Sequence, residues 1–143
     1  LSKLKTTVLG DIGCYTLGAL PPTSAIDACL CMGGSITMAH GFEKPLEEQE
    51  HSCRTGDSTF FHSGMTGAAE IIYNKGNVIP VVLDNHITDA GHQDNPGSGY
   101  TLQARSADQI KIEKSWKAVW LPECHCRRPA GSAAMQKLWT TPA

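Results

Sequence analysis

Short apolar, β-rich runs alternate with stretches of helical spacing along the first 85 residues. Thr6-Thr7-Val8-Leu9 reads as a strand, and Gly10-Asp11-Ile12-Gly13-Cys14-Tyr15 as the loop at its end. Gly18 and Pro21-Pro22 then argue against a regular element. Asp27-Ala28-Cys29-Leu30-Cys31-Met32 is a second short apolar strand, followed by Gly33-Gly34-Ser35 and a modest helix over Ile36–Phe42. Within Ser63–Tyr73, Met65, Ala68, Ala69, Ile72 and Tyr73 recur at helical spacing, and Asn74-Lys75-Gly76-Asn77 ends that helix with turn chemistry. Val78-Ile79-Pro80-Val81-Val82-Leu83 has the apolar run of a buried parallel strand. The alternation predicts an α/β domain: an open, mostly parallel sheet with helices on both faces.

One stretch resists the pattern. A strand ought to run into Gly56, yet Glu47-Glu48-Gln49-Glu50-His51-Ser52-Cys53-Arg54 is polar and charged: either a short edge-like strand with few apolar anchors or a local sequence atypical for the fold. Further on, His86 to Tyr100 is a long loop with three glycines, of the length binding loops have. Ala107 to Trp120 reads as a helix carrying Ile110, Ile112, Trp116, Val119 and Trp120. Residues 1–120 form the expected domain, and residues 121–143 a tail of uncertain order.

The chemistry gathers at Gly56-Asp57-Ser58-Thr59-Phe60 and Leu83-Asp84-Asn85, with Asp57 and Asn85 28 positions apart. A strand–helix–strand unit places both at neighbouring carboxyl ends, where ligands of open α/β sheets bind. A carboxylate and an amide oxygen suit Mg²⁺, which shares its oxygen ligands with phosphates. The helix after Asp57 aims free N–H groups at the same place, and Gly33-Gly34 ahead of another helix is likewise compatible with phosphate. Ordinary strand-end turns use the same residue types, so spacing alone leaves both readings open.

Composition narrows the field. The 143 residues suit one domain, and 41% hydrophobic with 18% charged residues describes a globular chain. A net charge of −2 gives no electrostatic case for nucleic acid. No run reaches membrane-span length, so a cytoplasmic address is the expectation. The six cysteines include no C-x-x-C pair and no cluster of four for iron and sulfur. Cys29 and Cys31 would share one face of a strand, and Cys124-His125-Cys126 lacks a clear second half for a metal.

Four stretches, in order, carry a resemblance: residues 10–22, Cys31-Met32-Gly33-Gly34-Ser35-Ile36, Gly56-Asp57-Ser58-Thr59-Phe60-Phe61-His62-Ser63-Gly64, and Gly91-His92-Gln93-Asp94-Asn95-Pro96-Gly97. Together they resemble the thiamine-diphosphate-binding domain of the indolepyruvate ferredoxin oxidoreductase alpha subunit, within the 2-oxoacid:ferredoxin oxidoreductase family, over residues 4–100. The resemblance implies the diphosphate-binding half of the thiamine-diphosphate fold. Asp57 and the Asn85 side chain would bind Mg²⁺, with the Ile87 carbonyl as a third ligand; Gly56, Ser58 and Thr59 would contact the diphosphate. Ile12, Gly13 and Cys14, and Met32, Gly33, Gly34 and Ser35, would lie near the pyrimidine–thiazolium end. His62 and His92 are weaker candidates for orienting substrate, and the loop after Asn85 is one residue shorter than the family usually carries.

The implied reaction is oxidative decarboxylation of an aryl-2-oxoacid such as indolepyruvate to acyl-CoA and CO₂, with ferredoxin as electron acceptor. Implied partners are a pyrimidine-binding domain or subunit, which carries the activating glutamate, and iron–sulfur clusters on another segment or subunit. A dimer or hetero-oligomer is therefore expected. A rival enzyme reading keeps the cofactor and changes the acid to pyruvate, 2-oxoglutarate or a branched-chain 2-oxoacid. A rival from another class is a non-catalytic remnant of the cofactor fold acting as a regulatory or assembly module. A third is a structural metal domain using Cys124, His125 and Cys126 with Cys29 and Cys31.

Overall fold

A computed structural model describes residues 6–43, 51–88, 95–101 and 103–118. The sites at His92, Cys124, His125 and Cys126, and the tail over residues 121–143, lie outside the described residues. Four strands form one all-parallel sheet in the order β2-β1-β3-β4. They are β1 (Thr7–Gly10), β2 (Ala28–Cys29), β3 (His51–Gly56) and β4 (Val78–Leu83). A 3₁₀ turn over Cys14–Ala19 separates β1 from β2, and α1 (Gly34–Glu43) carries the chain from β2 to β3. A continuous helical segment joins β3 to β4: α2 (Asp57–Thr59), a π-helical turn (Phe60–Gly64) and α3 (Met65–Tyr73). The short helix α4 (Ile112–Ala118) follows β4 after the loops.

The parallel sheet expected from the sequence is present, and β4 matches the Val78–Leu83 run residue for residue. The polar strand is not edge-like. β3 pairs with β1 on one side from His51 to Arg54 and with β4 on the other from His51 to Gly56. Two ladders satisfy its backbone, so its interior place does not depend on apolar side chains. Cys53 on one face joins Leu9, Ile36, Ala39, Ile71 and Val78 in the core under α1, and His51 lies against the Phe42 ring with centroids 6.4 Å apart. The next strand position, Arg54, faces the opposite side beside Gly10.

A second cluster packs Phe60, Ala68 and Trp116 with Phe61, Met65, Val82 and Ile112. It ties α4 to the π turn, with the Phe60 and Trp116 rings 5.0 Å apart. Helix α3 buries Gly67, Ala68 and Ile71, whereas Tyr73 is 85% exposed. The face is rotated from the one the spacing suggested because Gly67 meets Ile36: a Cβ there would stand 2.9 Å from its Cγ2. His40 Nδ1 lies 2.5 Å from Glu70 Oε2, linking α1 to α3.

Other boundaries shift. Gly18 does not prevent a regular element, since it lies inside the 3₁₀ turn. The second strand contracts to Ala28–Cys29, leaving Cys31 exposed and Cys29 half-buried. Residues 107–111 are not helical, and the predicted Ala107 helix begins at Ile112. Among the described residues, no helix is long and apolar enough to cross a membrane.

Candidate functional site

After β1 the chain moves outward to β2, and then crosses to β3 on the other side of β1. The carboxyl ends of β1 and β3 therefore flank the point where strand order reverses, the general ligand crevice of open α/β sheets. A cavity of about 220 Å³ opens there. Residues 11–16 line it from the end of β1, Met32 from beyond β2, Arg54 and residues 56–59 from β3 and its helix, and Asn85, Ile87 and Thr88 from beyond β4. Ten predicted positions thus line one cavity together: Ile12, Gly13, Cys14, Met32, Gly56, Asp57, Ser58, Thr59, Asn85 and Ile87.

Gly33, Gly34 and Ser35 do not reach that cavity. Gly33 has φ +84°, and a Cβ on it would stand 2.0 Å from Ser63 Oγ, so its place is set by packing against the π turn. The N–H of Ser35 at the start of α1 donates to Asp11 Oδ1 at 2.8 Å. A carboxylate from the β1 loop thereby occupies the helix end that looked suited to phosphate.

Asp57 is 1% exposed, and Asn95 Nδ2 donates to its Oδ2 at 2.9 Å. Burial, joined by the negative charge of Asp84, raises the Asp57 carboxyl above its ordinary range against the pull of its hydrogen bonds. Single donor atoms of Asp57, Asp84 and His86 lie within 4.8 Å of one another. The His86 N–H donates to Asp84 Oδ1 and the Ile87 N–H to Asn85 Oδ1, each at 3.1 Å, folding the strand-end loop back on itself. Thr88 Oγ1 donates to Ser58 Oγ at 2.7 Å, joining that loop to the start of α2. Burial and then the Asp57 charge also push the Tyr15 phenol up.

Two converging carboxylates with a neighbouring amide oxygen are the donor chemistry of a hard divalent cation. Among the described residues nothing lies within 4 Å of where a Cβ would stand on Gly13 or Gly56, leaving room for a ligand to approach the backbone at both glycines. The residues present therefore fit a Mg²⁺-bound diphosphate.

Sequence reasoning assigned no role to Asp84, His86, Asn95, Tyr15, Asp11 or Arg54. The signal for Asp84 was available, since it adjoins Asn85 at the end of β4. Asn95 sits 38 residues from Asp57, and only the fold brings them together.

Residues 11–137 match the family described as thiamine pyrophosphate enzyme, C-terminal TPP binding domain. The chain is also similar to curated proteins named indolepyruvate oxidoreductase subunit IorA. It is 46% identical to that of Pyrococcus abyssi over 123 residues, covering 76% of this chain and 19% of the relative. For Pyrococcus horikoshii the identity is 48% with the same coverage. For Methanothermobacter thermautotrophicus it is 42% over 109 residues, covering 76% of this chain and 18% of the relative. The chain thus spans about a fifth of the length of these relatives.

Proposed function

This chain belongs to the thiamine pyrophosphate enzymes, as a C-terminal TPP-binding domain of the IorA-type oxidoreductases, and from that premise we propose that it holds the diphosphate of thiamine diphosphate through Mg²⁺. The observation that carries this is Asp57: a nearly inaccessible carboxylate at the carboxyl end of β3, facing the residues that follow β4 across a cavity with exposed glycine backbone. The binding domain comprises residues 1–120.

Asp57, the Asn85 side chain and the Ile87 carbonyl are the ligand set for the cation. Gly56, Ser58 and Thr59 offer N–H groups at the start of the helical segment to the diphosphate, where the aligned peptide dipoles favour negative charge. Asn95 fixes the Asp57 carboxylate, and Thr88 fixes Ser58. Ile12, Gly13, Cys14 and Met32 shape the wall for the ring end, with Gly33, Gly34 and Ser35 as its support. When bound, thiamine diphosphate supplies the thiazolium carbon nucleophile and the electron sink that decarboxylation needs.

In the whole enzyme the substrate is an aryl-2-oxoacid such as indolepyruvate, coenzyme A takes the acyl group, and ferredoxin takes the electrons. Iron–sulfur clusters and the pyrimidine-binding domain with its activating carboxylate lie on other segments or subunits, so the assembly is a dimer or hetero-oligomer acting in the cytoplasm. The isolated chain binds the cofactor without turning over. A second ligand set, Asp57 with Asp84 and His86, is favoured by the convergence of their donor atoms.

Calorimetric titration of thiamine diphosphate into the chain, with and without Mg²⁺, tests the proposal. Saturable Mg²⁺-dependent binding that disappears in Asp57→Ala supports it; binding that ignores both sinks it. Comparing Asn85→Ala with Asp84→Asn in the same titration separates the two ligand sets.

A further inference from the structure

Arg54 is the one basic residue among the described residues that line the cavity. It lies on β3 three positions before Asp57, on the sheet face opposite Cys53, and its strand neighbour is Gly10. Ile26 fills the space over Gly10, where a Cβ would stand 2.9 Å from its Cγ2, and Gly18 of the 3₁₀ turn lies beside both Ile26 and Arg54. A Cβ on Gly18 would stand 4.0 Å from Arg54 Nη1. Gly18, having no side chain, leaves the Nη1 end of the guanidinium room where Arg54 lines the cavity.

No carboxylate among the described residues comes within ion-pair distance of it. Its Nε is buried and has no hydrogen-bond partner. Asp11, on the same wall, also leaves its Oδ2 unpartnered, while its Oδ1 is committed to Ser35. Burial lowers the Arg54 pKa from its ordinary value, and arginine keeps its charge in proteins. A half-buried guanidinium without an acceptor carries an unmet desolvation cost, which an oxoanion offering two oxygens would offset.

Resting on the function above, we propose that Arg54 is the anion-binding side chain of this cavity and grips an oxoanion of the reactants, either a phosphate of the diphosphate or the carboxylate of a 2-oxoacid. Both present two oxygens that the arginine fork can engage together. The sheet holds the side chain from below, so its head is positioned before the ligand arrives.

The test is NMR on the ¹⁵N-labelled full chain. The Arg54 Nε–H resonance is assigned by its loss in Arg54→Lys. Inorganic pyrophosphate with Mg²⁺, pyruvate and thiamine are titrated separately. Movement of the Nε–H with pyrophosphate assigns the phosphate source; movement with pyruvate alone assigns the carboxylate. In either case Arg54→Gln should bind that anion at least about tenfold more weakly, the scale of a charge-assisted bidentate contact. Arg54→Lys should recover part of the loss, and thiamine, which has no oxoanion, should leave the resonance still. An Nε–H that moves with neither anion overturns the proposal. The backbone amides of Gly56 and Thr59 in the same spectra then separate the two claims: if they move with Mg²⁺-pyrophosphate the function stands without Arg54, and if they are also still both claims fall.

Discussion

Replacing Asp57 by asparagine should stabilise the chain in the absence of divalent cations and abolish the extra stability that Mg²⁺ confers. Burial first, and the Asp84 charge with it, raises the Asp57 carboxyl above its ordinary value of 3.8. The folded chain therefore binds this proton more tightly than the unfolded chain. Stability falls as pH climbs from that ordinary value through the raised folded one, and stays lower above it. Two unit charges within 4.8 Å repel by about 3–4 kcal/mol at an effective dielectric near 20. The Asp84 side chain is 40% exposed, and solvent screening brings that to about 1 kcal/mol. Relief of the buried charge adds to this, while a weaker bond from Asn95 and the lost helix-dipole attraction each remove up to about 1 kcal/mol.

Burial is the largest cause of the shift, so its relief decides the balance and a net gain near pH 7 remains. Each kcal/mol of it is worth about 3–5 °C in Tm for a chain of this size. Urea unfolding in EDTA at neutral pH, repeated below the ordinary carboxyl pKa, measures it. The gain should be present in the first condition and gone in the second. Adding Mg²⁺ at about ten times its Kd should stabilise the parent chain by about 1.4 kcal/mol and leave Asp57→Asn unmoved. A variant less stable than its parent in EDTA at neutral pH would refute the electrostatic argument. Equal Mg²⁺ stabilisation of the two would refute the cation site.

Phe60→Ala should cost about 3–5 kcal/mol, because Phe60 is fully buried and joins the Trp116 and Phe61 rings; a shift in urea midpoint worth under about 1 kcal/mol would contradict that packing. Under native alkylation near neutral pH, exposed Cys31 should be modified quickly and Cys53 not at all. Cys53 has no accessible surface, and burial pushes its thiol up to about 12, so peptide mass mapping that finds Cys53 labelled first would reverse the assignment.

The elements with side-chain signatures were the legible ones. Val78–Leu83 announces a buried parallel strand by composition, and Gly56-Asp57-Ser58 and Asn85 reach one cavity as their spacing suggested. β3 was misjudged because a strand's place in a sheet depends on pairing at both edges, which leaves no trace in the polarity of His51, Ser52 and Thr55. All three are buried without being hydrophobic, His51 and Thr55 on the sheet face of Cys53 and Ser52 on the other. Asn95 was hidden for a different reason: it reaches Asp57 through space from a loop 38 residues away, whereas Asp84 stands in the motif next to Asn85.

The π-helical turn over Phe60–Gly64 works as a phase slip. Each residue it adds relative to an α-helical turn rotates everything beyond it by about 100° about the axis. The first part of the helical segment can therefore aim Asp57, Ser58 and Thr59 at the cavity while the second aims Gly67, Ala68 and Ile71 at the core. One uninterrupted α-helix would couple those two directions, so that any change in core packing would swing the donor face. The slip lets the two faces be set separately, and deleting one residue from it would leave a good helix pointing its ligand groups the wrong way.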